Sequence, residues 1–478
     1  MPTTSLALAG ARCLALFGLG MTLGATSSVA AQPFSQRFEE IKKQAGPGEL
    51  YRLLFELPKG GDLHHHINLS IPAEMWLAGA TDPRRLKGNR FYTRVRLLGC
   101  AADKPPFVLQ RTIQQASFQK LDACQKSEYV PLDQLDAEGR QKWLSGLKLD
   151  RPEEGRDEFF DALGARLGEL TRDANLVTEL MVENLRQYAA EKTRYIEMQV
   201  VGPRFNDQQG APIPLEQGAR LLGDRLQQPD AKAVGVTVRF LAAVVRFQPD
   251  AEQQLERAYA LVAQHRELWV GINLTGKEEI PAGHGLRFVE TLRKLRRSYS
   301  NVAISVHAGE SDAPGREVRT ALLLGASRVG HAVNLLSDPD TLILMRNSRY
   351  LIEINLLSNL LLGYVPNLAS HPFSEYLRLG IPVCLNTDDR TAWDSNLTDE
   401  YYAAVSTFNL SWEEVVKIGE NSLTHAFAEP ATRASLLKDY QAALGTFERT
   451  YSTDDWRDRL RRVTSRPSGY ARREWGIQ

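Results

Sequence analysis

The 478-residue chain contains only four cysteines and has no Cys-x-x-Cys pair. Zinc deaminases that act on a base of a nucleic acid strand carry a Pro-Cys-x-x-Cys signature together with His-x-Glu, so that class is excluded. Acidic and basic residues are equal in number, 58 of each, and leave no net field that would attract a polyanion. We therefore expect no nucleic acid partner. The chain is long enough to bury the core of one large or two smaller domains.

The N-terminal region lacks an apolar run of the ~20 residues that a membrane-spanning helix needs. Its apolar stretch, residues 13–24, follows Arg12 and precedes a small-residue segment ending in Ala30-Ala31-Gln32. This layout is typical of a secretory signal cleaved after Ala30 or Ala31, and a short membrane anchor is the alternative. We predict that residues 1–31 are a signal peptide and that the mature protein is periplasmic or secreted, without a membrane segment.

Removal of that signal leaves three cysteines, which are Cys100, Cys124 and Cys384. An oxidising compartment permits a disulfide between Cys100 and Cys124, which lie in a loop-rich segment. Cys384 lies within an apolar strand, and we predict that it is a buried free thiol.

Short apolar segments alternate with stretches of helical periodicity along most of the chain. The segments are residues 61–66, 195–201, 236–245, 269–274, 302–307, 328–331, 350–355 and 382–387. Eight such alternations predict an α/β fold, a parallel (β/α)8 TIM-type barrel. A charge- and proline-rich insertion after strand 1, about residues 82–161, is placed to cover the barrel mouth. We divide the chain into a signal peptide, an N-terminal helical extension, a barrel and a C-terminal tail, which are residues 1–31, 32–57, 58–450 and 451–478.

The extension includes residues 34–55, which we predict to be one amphipathic helix against the outside of the barrel. The tail carries a modest number of basic residues between Arg457 and Arg473. We interpret these as surface residues rather than as a binding site.

Residues able to carry chemistry follow the ends of the predicted strands. In a strand, alternate side chains share a face, so His64 and His66 point the same way and His65 points to the other side. The C-terminal strand ends of such a barrel meet at one face, where its catalytic groups lie. A lone histidine there is more often a core residue, and an Asp-Asp pair is more often a turn or a helix cap. The joint placement of His64, His66, His307 and Asp388 favours a divalent metal site, with zinc the default ion.

These motifs resemble those of the adenosine deaminases, within the metal-dependent amidohydrolase superfamily. They occur in the family's order between residues 58 and 427, and several separated motifs agree where any one would be weak. The opening Pro58-Lys59-Gly60-Gly61-Asp62 and the export signal are most similar to the secreted or periplasmic branch, which includes the adenosine deaminase growth-factor relatives. The matching residues are Pro58-Lys59 with Leu63-His64-His65-His66, residues 271–276, His307-Ala308-Gly309-Glu310, Arg328-Val329-Gly330-His331, Leu357-Ser358-Asn359 with Leu362-Gly363, His371-Pro372 and Asn386-Thr387-Asp388-Asp389.

The resemblance implies an enzyme, a hydrolase acting on the C–N bond of a cyclic amidine. It implies one Zn2+ per chain, with iron or manganese as alternatives, because a histidine-rich site with one carboxylate selects weakly among these ions. The expected reaction converts adenosine, and also 2'-deoxyadenosine, to inosine and ammonia by attack of a metal-bound hydroxide on C6. The expected partner is thus a small purine nucleoside. The ligands it implies are His64, His66, His307 and Asp388.

The resemblance also assigns roles around the purine ring. Glu310 would protonate N1, which requires a raised pKa. His331 would orient and deprotonate the water and stabilise the oxyanion, and the alternative is that it packs beneath the metal. Asp389 would bond to N7, and the backbone N–H of Gly276 would face N3.

Two departures from the family pattern leave the substrate open. Asn68 stands where many adenosine deaminases have an aspartate that bonds to a ribose hydroxyl, and it keeps a hydrogen bond but loses the charge. Arg390 follows Asp389 in place of a proline. It keeps a nucleotide substrate under consideration, although we favour a surface residue that pairs with acidic groups of the following helix. Adenine, an N6-substituted purine or an adenine nucleotide is the alternative substrate, and a non-catalytic extracellular binding module is a further alternative.

Overall fold

The computed structural model describes residues 33–100, 107–202, 204–207, 209–312 and 315–478. The predicted signal peptide therefore lies outside the described residues. Within them the strands are β1 (Gly60–His66), β2 (Phe91–Arg94), β3 (Thr112–Gln114), β4 (Tyr129–Pro131), β5 (Thr193–Val201), β6 (Thr237–Val245), β7 (Trp269–Thr275), β8 (Ala303–Ala308), β9 (Arg328–His331), β10 (Leu351–Ile354) and β11 (Val383–Leu385).

The strands β1 and β5 to β11 form an eight-stranded sheet in chain order, and each pairs in parallel with the next. They correspond to the eight predicted segments, with boundaries that differ by no more than two residues. Apolar residues such as Ile352 and Ile354 are buried, while Glu353 between them points into the barrel, as strand alternation requires. The (β/α)8 barrel is confirmed.

The barrel closes between β1 and the residues that follow β11. The amide of Asp388 donates to the carbonyl of His64 over 2.9 Å, and the carbonyl of Asp388 accepts from the amide of His66 over 3.3 Å. The side-chain oxygen of Asn386 accepts from the amide of Leu63 over 2.9 Å. The hydrogen bonds that close the sheet therefore also bring Asp388 beside the two histidines of β1.

Helices cover the outside of the barrel. One of them, α9, begins at the N-cap Asp173, whose carboxylate accepts from the amide of Leu176, and it buries an apolar stripe that includes Leu180. No described helix is long and apolar enough to cross a membrane. The α-helices are α1 (Phe34–Gln44), α2 (Pro47–Glu56), α3 (Ala73–Ala80), α4 (Pro83–Leu86), α5 (Gln115–Gln119), α6 (Ala123–Ser127), α7 (Ala137–Ser145), α8 (Gly164–Leu167), α9 (Ala174–Ala190), α10 (Leu215–Leu226), α11 (Pro229–Lys232), α12 (Ala251–Gln264), α13 (Val289–Ser298), α14 (Glu317–Leu323), α15 (Pro339–Arg346), α16 (Leu356–Leu361), α17 (Phe373–Arg378), α18 (Arg390–Trp393), α19 (Leu397–Phe408), α20 (Trp412–Thr424), α21 (Pro430–Tyr451), α22 (Trp456–Arg461) and α23 (Gly469–Trp475).

The N-terminal extension forms two helices, so the prediction of one helix over residues 34–55 is wrong. Proline lacks a backbone N–H and disfavours the helical conformation in the residue before it, and Pro47 therefore begins α2 after the extended Gly46. The extension packs on the outer helices rather than on the strands. The ring of Phe34 meets the rings of Trp412 and Phe447 edge-on at 4.6 and 5.7 Å.

The insertion after β1 contains a small antiparallel sheet in the order β3-β2-β4. The disulfide between Cys100 and Cys124 is present, and Cys384 is a buried free thiol.

The last part of the insertion, residues 148–161, lies over the C-terminal strand ends. The amide of Leu149 donates to the carbonyl of Ala392, which follows β11, over 2.8 Å. The guanidinium of Arg156 donates to Asp312 after β8 over 2.6 Å and to the carbonyl of Leu362 after β10 over 3.1 Å. This segment thus connects three loops of the face that carries the predicted site.

The segment after α21, predicted as a tail, is folded onto the protein. It contains α22 and α23, whose side chains Trp456, Leu460 and Tyr470 are buried. Arg473 forms an ion pair with Asp394 over 2.5 Å and keeps about a third of its side chain exposed. The arginines of this segment are therefore at the surface while its apolar residues extend the core.

Candidate active site

Four predicted ligands converge at the C-terminal face of the barrel. One ligand atom from each of them lies within 4.8 Å of the others. His64 Nε2 is 3.0 Å from His307 Nε2, and Asp388 Oδ1 is 3.4 Å from His64 Nε2 and 3.3 Å from His66 Nε2. The four residues come from β1, β8 and the loop after β11, so the fold brings together positions more than 300 residues apart. They are His64, His66, His307 and Asp388.

The ring of His64 is oriented by a buried acidic group. Its Nδ1 donates to Glu353 over 2.7 Å, which leaves the lone pair of Nε2 directed at the cluster. Glu353 is held in turn by the hydroxyl of Ser305 and by Arg328 Nε at 2.6 Å. A carboxylate behind a histidine in this way fixes the tautomer that binds a metal.

The donor set fits a divalent cation. Two imidazole nitrogens lie 3.0 Å apart with a carboxylate oxygen beside them, an arrangement of ligand atoms that one divalent cation would satisfy together. Asp388 Oδ1 is buried and has no hydrogen-bond partner among the described residues, and buried polar atoms are normally satisfied. Asp388 also has a backbone φ of 51°, a costly conformation for a residue other than glycine. The site could therefore hold one metal ion.

Glu310 and His331 lie on the same side of Asp388. Ligand atoms of the three residues are within 4.8 Å of one another, and Glu310 Oε2 is 3.6 Å from His331 Nε2. Burial, together with the nearby charge of Asp388, raises the pKa of Glu310 well above its ordinary value. Burial lowers the pKa of His331 to about 3. Burial therefore favours the uncharged form of both groups.

Asp389 follows directly and is also buried. Its Oδ1 has no hydrogen-bond partner among the described residues, and burial raises the pKa of Asp389 to about 8. Gly276 comes directly after β7 with a φ of 98°, and a Cβ there would lie 2.8 Å from Cε1 of Phe247. The Asp389 carboxyl oxygen therefore lies unpaired among the described residues at the strand ends, and the chain at Gly276 approaches Phe247 more closely than a residue with a Cβ allows.

Asn68, the third predicted substrate residue, lies just beyond β1. It lines a cavity of about 160 Å³ at the ends of β1 and β5, together with residues that include Arg172 and Arg204. Its Oδ1 has no hydrogen-bond partner in the described part of the chain. His65, by contrast, turns away from the cluster and packs against the ring of Tyr188 at 5.5 Å, as predicted.

Arg390 does not occupy the surface position that we favoured. It is only 3% exposed, and its guanidinium donates to Glu191 over 3.1 Å and lies over the ring of Tyr188. Both partners belong to the end of α9, not to the helix that follows Arg390. The carboxylate of Glu191, directly after α9, is buried and needs a cation beside it, and the guanidinium of Arg390 lies close enough to supply that charge. Arg390 thus takes part in the packing between the barrel and the end of α9.

Several buried charged residues escaped the sequence analysis. Arg328 pairs with Glu353 and also with Glu197, at 2.6 Å each. Arg246 pairs with Glu278, whose carboxylate accepts from the amide of Glu310 over 2.6 Å. The signal that could have found them is a single charged residue within an otherwise apolar strand, as at 197, 328 and 353.

We expect Gly330→Ala to impair metal binding. A Cβ on Gly330 would lie 2.6 Å from Cε1 of His64, so the ring must move out of the cluster. Disturbing the support of a ligand commonly costs about 10–100-fold in metal affinity or activity. Metal content after dialysis measures the effect, with Gly48→Ala as the control because nothing lies within 4 Å of the added carbon. Wild-type metal retention in Gly330→Ala would contradict the ligand geometry.

A closed parallel barrel that carries three histidines, an aspartate and a buried glutamate at its C-terminal face defines a hydrolase of the metal-dependent barrel class. The family model for adenosine deaminase matches residues 132–443. The chain belongs to the adenosine deaminase family, and is accordingly a hydrolase that acts on C–N bonds. The matched part includes His307, Glu310, His331, Asp388 and Asp389 and begins after β1.

Individual relatives agree with this assignment. An adenosine deaminase of Enterococcus faecalis is 31% identical over 248 residues, which are 52% of this chain and 70% of that protein. The N6-methyl-AMP deaminase-L of Xenopus laevis is 26% identical over 57% of this chain and 76% of that protein. The match spans 41% of an adenosine deaminase of Shewanella halifaxensis and 80% of an adenosine deaminase-like protein of Drosophila melanogaster. The solved adenine deaminase of Arthrobacter aurescens, 20% identical, superposes with a TM-score of 0.60 over 81% of this chain and 99% of that chain.

Proposed function

We propose that this chain is an exported, zinc-dependent purine nucleoside deaminase that hydrolyses adenosine to inosine, and 2'-deoxyadenosine to 2'-deoxyinosine, with release of ammonia. The observation that carries the proposal is the convergence of four metal-binding side chains with Glu310 beside them. Three imidazoles and one carboxylate are ligands suited to zinc. A divalent ion bound by them lowers the pKa of a bound water toward neutrality.

The protein residues supply the other parts of the reaction. The water oxygen adds to C6 of the purine, and Glu310, whose uncharged form is favoured by burial, gives its proton to N1. Asp389, whose pKa is raised to about 8, donates a hydrogen bond to N7, and the backbone amide of Gly276 faces N3. The C6–N bond then breaks and ammonia leaves. These contacts are expected to bind an uncharged purine ring better than a charged base.

The first test uses protein that starts at Gln32, with the metal content measured on the same sample. We expect adenosine turnover followed by ultraviolet absorbance, about one metal per chain, and loss of turnover on chelation with recovery on adding Zn2+. A metal-replete protein that is inert on adenosine, 2'-deoxyadenosine, adenine and AMP would contradict the proposal and favour the non-catalytic binding module.

Export is a separate part of the proposal, supported by the layout of residues 1–31. Expression of the full chain in a Gram-negative host should give mature protein in the periplasmic fraction, with an N-terminus at Ala31 or Gln32. A protein that stays in the cytoplasm with residues 1–31 attached would contradict it.

A nucleotide is the second candidate substrate, and the surroundings of Asn68 favour it. Two arginines, Arg172 and Arg204, are among the residues that line the cavity beside Asn68, and guanidinium groups bind phosphate well. The carboxylate that Asn68 replaces would repel a phosphate. The likeness to an N6-methyl-AMP deaminase points the same way. Arg390 gives no support, because it is paired with Glu191.

We expect Arg204→Gln to separate the two substrates. If AMP or N6-methyl-AMP is the substrate, the variant should raise the KM for that nucleotide about tenfold. A hydrogen bond to a charged group contributes about 1.5–3 kcal/mol, and loss of part of that contribution accounts for the tenfold change. Adenosine kinetics should not change in either case. Arg257→Gln, which removes an exposed guanidinium paired with Asp250, is the matched control. Equal kinetics for AMP in both variants would exclude a phosphate site at Arg204.

A further inference from the structure

His331 is held by a chain of side chains that leads away from the metal cluster. Asn359 Nδ2 lies 3.0 Å from His331 Nδ1, and Asn359 Oδ1 lies 3.0 Å from His371 Nε2. The chain ends at a backbone amide, because the N–H of Phe373 donates to His371 Nδ1 over 3.1 Å. His331, Asn359 and His371 are all fully buried or nearly so.

The backbone amide decides the direction of every hydrogen bond in this chain. A peptide N–H can only donate, so His371 Nδ1 must accept and carries no proton. Burial lowers the pKa of His371 to about 3, and a neutral ring then holds its proton on Nε2. That N–H donates to Asn359 Oδ1.

The amide of Asn359 is thereby fixed in one of its two orientations. With Oδ1 occupied by His371, its NH2 group faces His331 and donates to Nδ1. Asn355 Nδ2 lies 3.2 Å from Nδ1 and 3.5 Å from Nε2 of the same ring, so it sits beside the ring and does not distinguish the two nitrogens. A proton on His331 Nδ1 would meet the N–H of Asn359 head-on. The proton of the His331 ring is therefore on Nε2, the nitrogen that lies 3.6 Å from Glu310 Oε2.

We propose that Asn359 and His371 are positioning residues that hold His331 as an Nε2–H hydrogen-bond donor to the attacking oxygen. This inference rests on the proposed deaminase function and differs from the expectation that His331 deprotonates the water. An Nε2 that already carries a proton cannot accept another while Nδ1 accepts from Asn359. Instead His331 stabilises negative charge that develops on the oxygen as it bonds to C6. The proton that this water releases passes to Glu310, which has given its own proton to N1, and then to the departing amine.

The direct test is the tautomer of His331 in the holo-protein. Uniform 15N-histidine labelling and two-bond 15N–1H correlation spectra distinguish an Nε2–H from an Nδ1–H ring, and His331→Gln identifies the signals. We expect the Nε2–H pattern for both His331 and His371. An Nδ1–H pattern for His331 would overturn the proposal. The tautomer measurement does not depend on turnover. A protein with the expected tautomers but no deaminase activity would therefore contradict the proposed function and leave the tautomer assignment standing.

Variants then test the connection. Asn359→Asp offers only acceptors, so it should move the His331 proton to Nδ1 and lower kcat about 10²-fold, the usual cost of one such donor, with KM changed little. His371→Gln retains an N–H at the position of Nε2 and should keep both the tautomer and kcat, whereas His371→Phe should lose them. Ser358→Ala is the matched control in the same helix, because its hydroxyl has no partner among the described residues. Wild-type kcat in Asn359→Asp would overturn the proposal even if His371→Phe failed to fold.

Discussion

Glu310→Gln is expected to lower kcat by about 10²–10⁴-fold, the range for a lost general acid, while metal content stays at the wild-type level. Glutamine keeps the size and the hydrogen bonds of a protonated glutamic acid but cannot release a proton to N1. Glu310 is not among the four clustered ligands, and its amide remains bound to Glu278. The site should therefore keep its shape. Steady-state kinetics and metal analysis on the same sample measure the two effects separately.

The control for this variant is Glu279→Gln, which removes a nearby but exposed carboxylate. It should leave kcat within about twofold, because exposed charges act weakly through solvent. Near wild-type turnover in Glu310→Gln would show that another group protonates the ring. Loss of metal in Glu310→Gln would instead place Glu310 among the ligands.

The barrel could be predicted from sequence because its strands and its chemistry repeat one local pattern. Each strand is a short apolar run, and polar residues such as His307, His331 and Asp388 lie at its end or within three residues of it. The fold then places all such ends on one face. Local spacing and a known topology were therefore enough to predict that these side chains converge, and the distances among their ligand atoms are consistent with a metal site.

The error at Arg390 arose because a contact with a distant part of the chain determines its environment. Whether Arg390 is exposed depends on Glu191, some 200 residues away on α9, and no local pattern carries that information. The hydrogen bonds from Phe373 to His331 likewise depend on how α16 and α17 meet. Sequence motifs marked Asn359 and His371 but gave no direction for their hydrogen bonds. The break at Pro47, in contrast, was visible in the sequence and was missed.

Arg328→Met should cause the largest loss of stability. Arg328 is 1% exposed and stands between two buried carboxylates, Glu197 and Glu353, with 2.6 Å to each. Methionine fills the space of the side chain stem but leaves both acids without their cation. Breaking a buried pair in this way costs about 3–5 kcal/mol in the free energy of unfolding. Denaturant unfolding followed by tryptophan fluorescence measures it.

The same substitution should also weaken the metal site, because Glu353 orients His64. Without Arg328, Glu353 would take up a proton and donate it to His64 Nδ1, or rotate toward another partner, and either change releases the ring. Arg473→Met is the control, since its ion pair with Asp394 is partly exposed and should contribute no more than about 1 kcal/mol. If Arg328→Met unfolds like this control and keeps its metal, the buried charges do not support the site. If both stability and metal content fall, the buried ion pairs of Arg328 support the metal site as well as the fold.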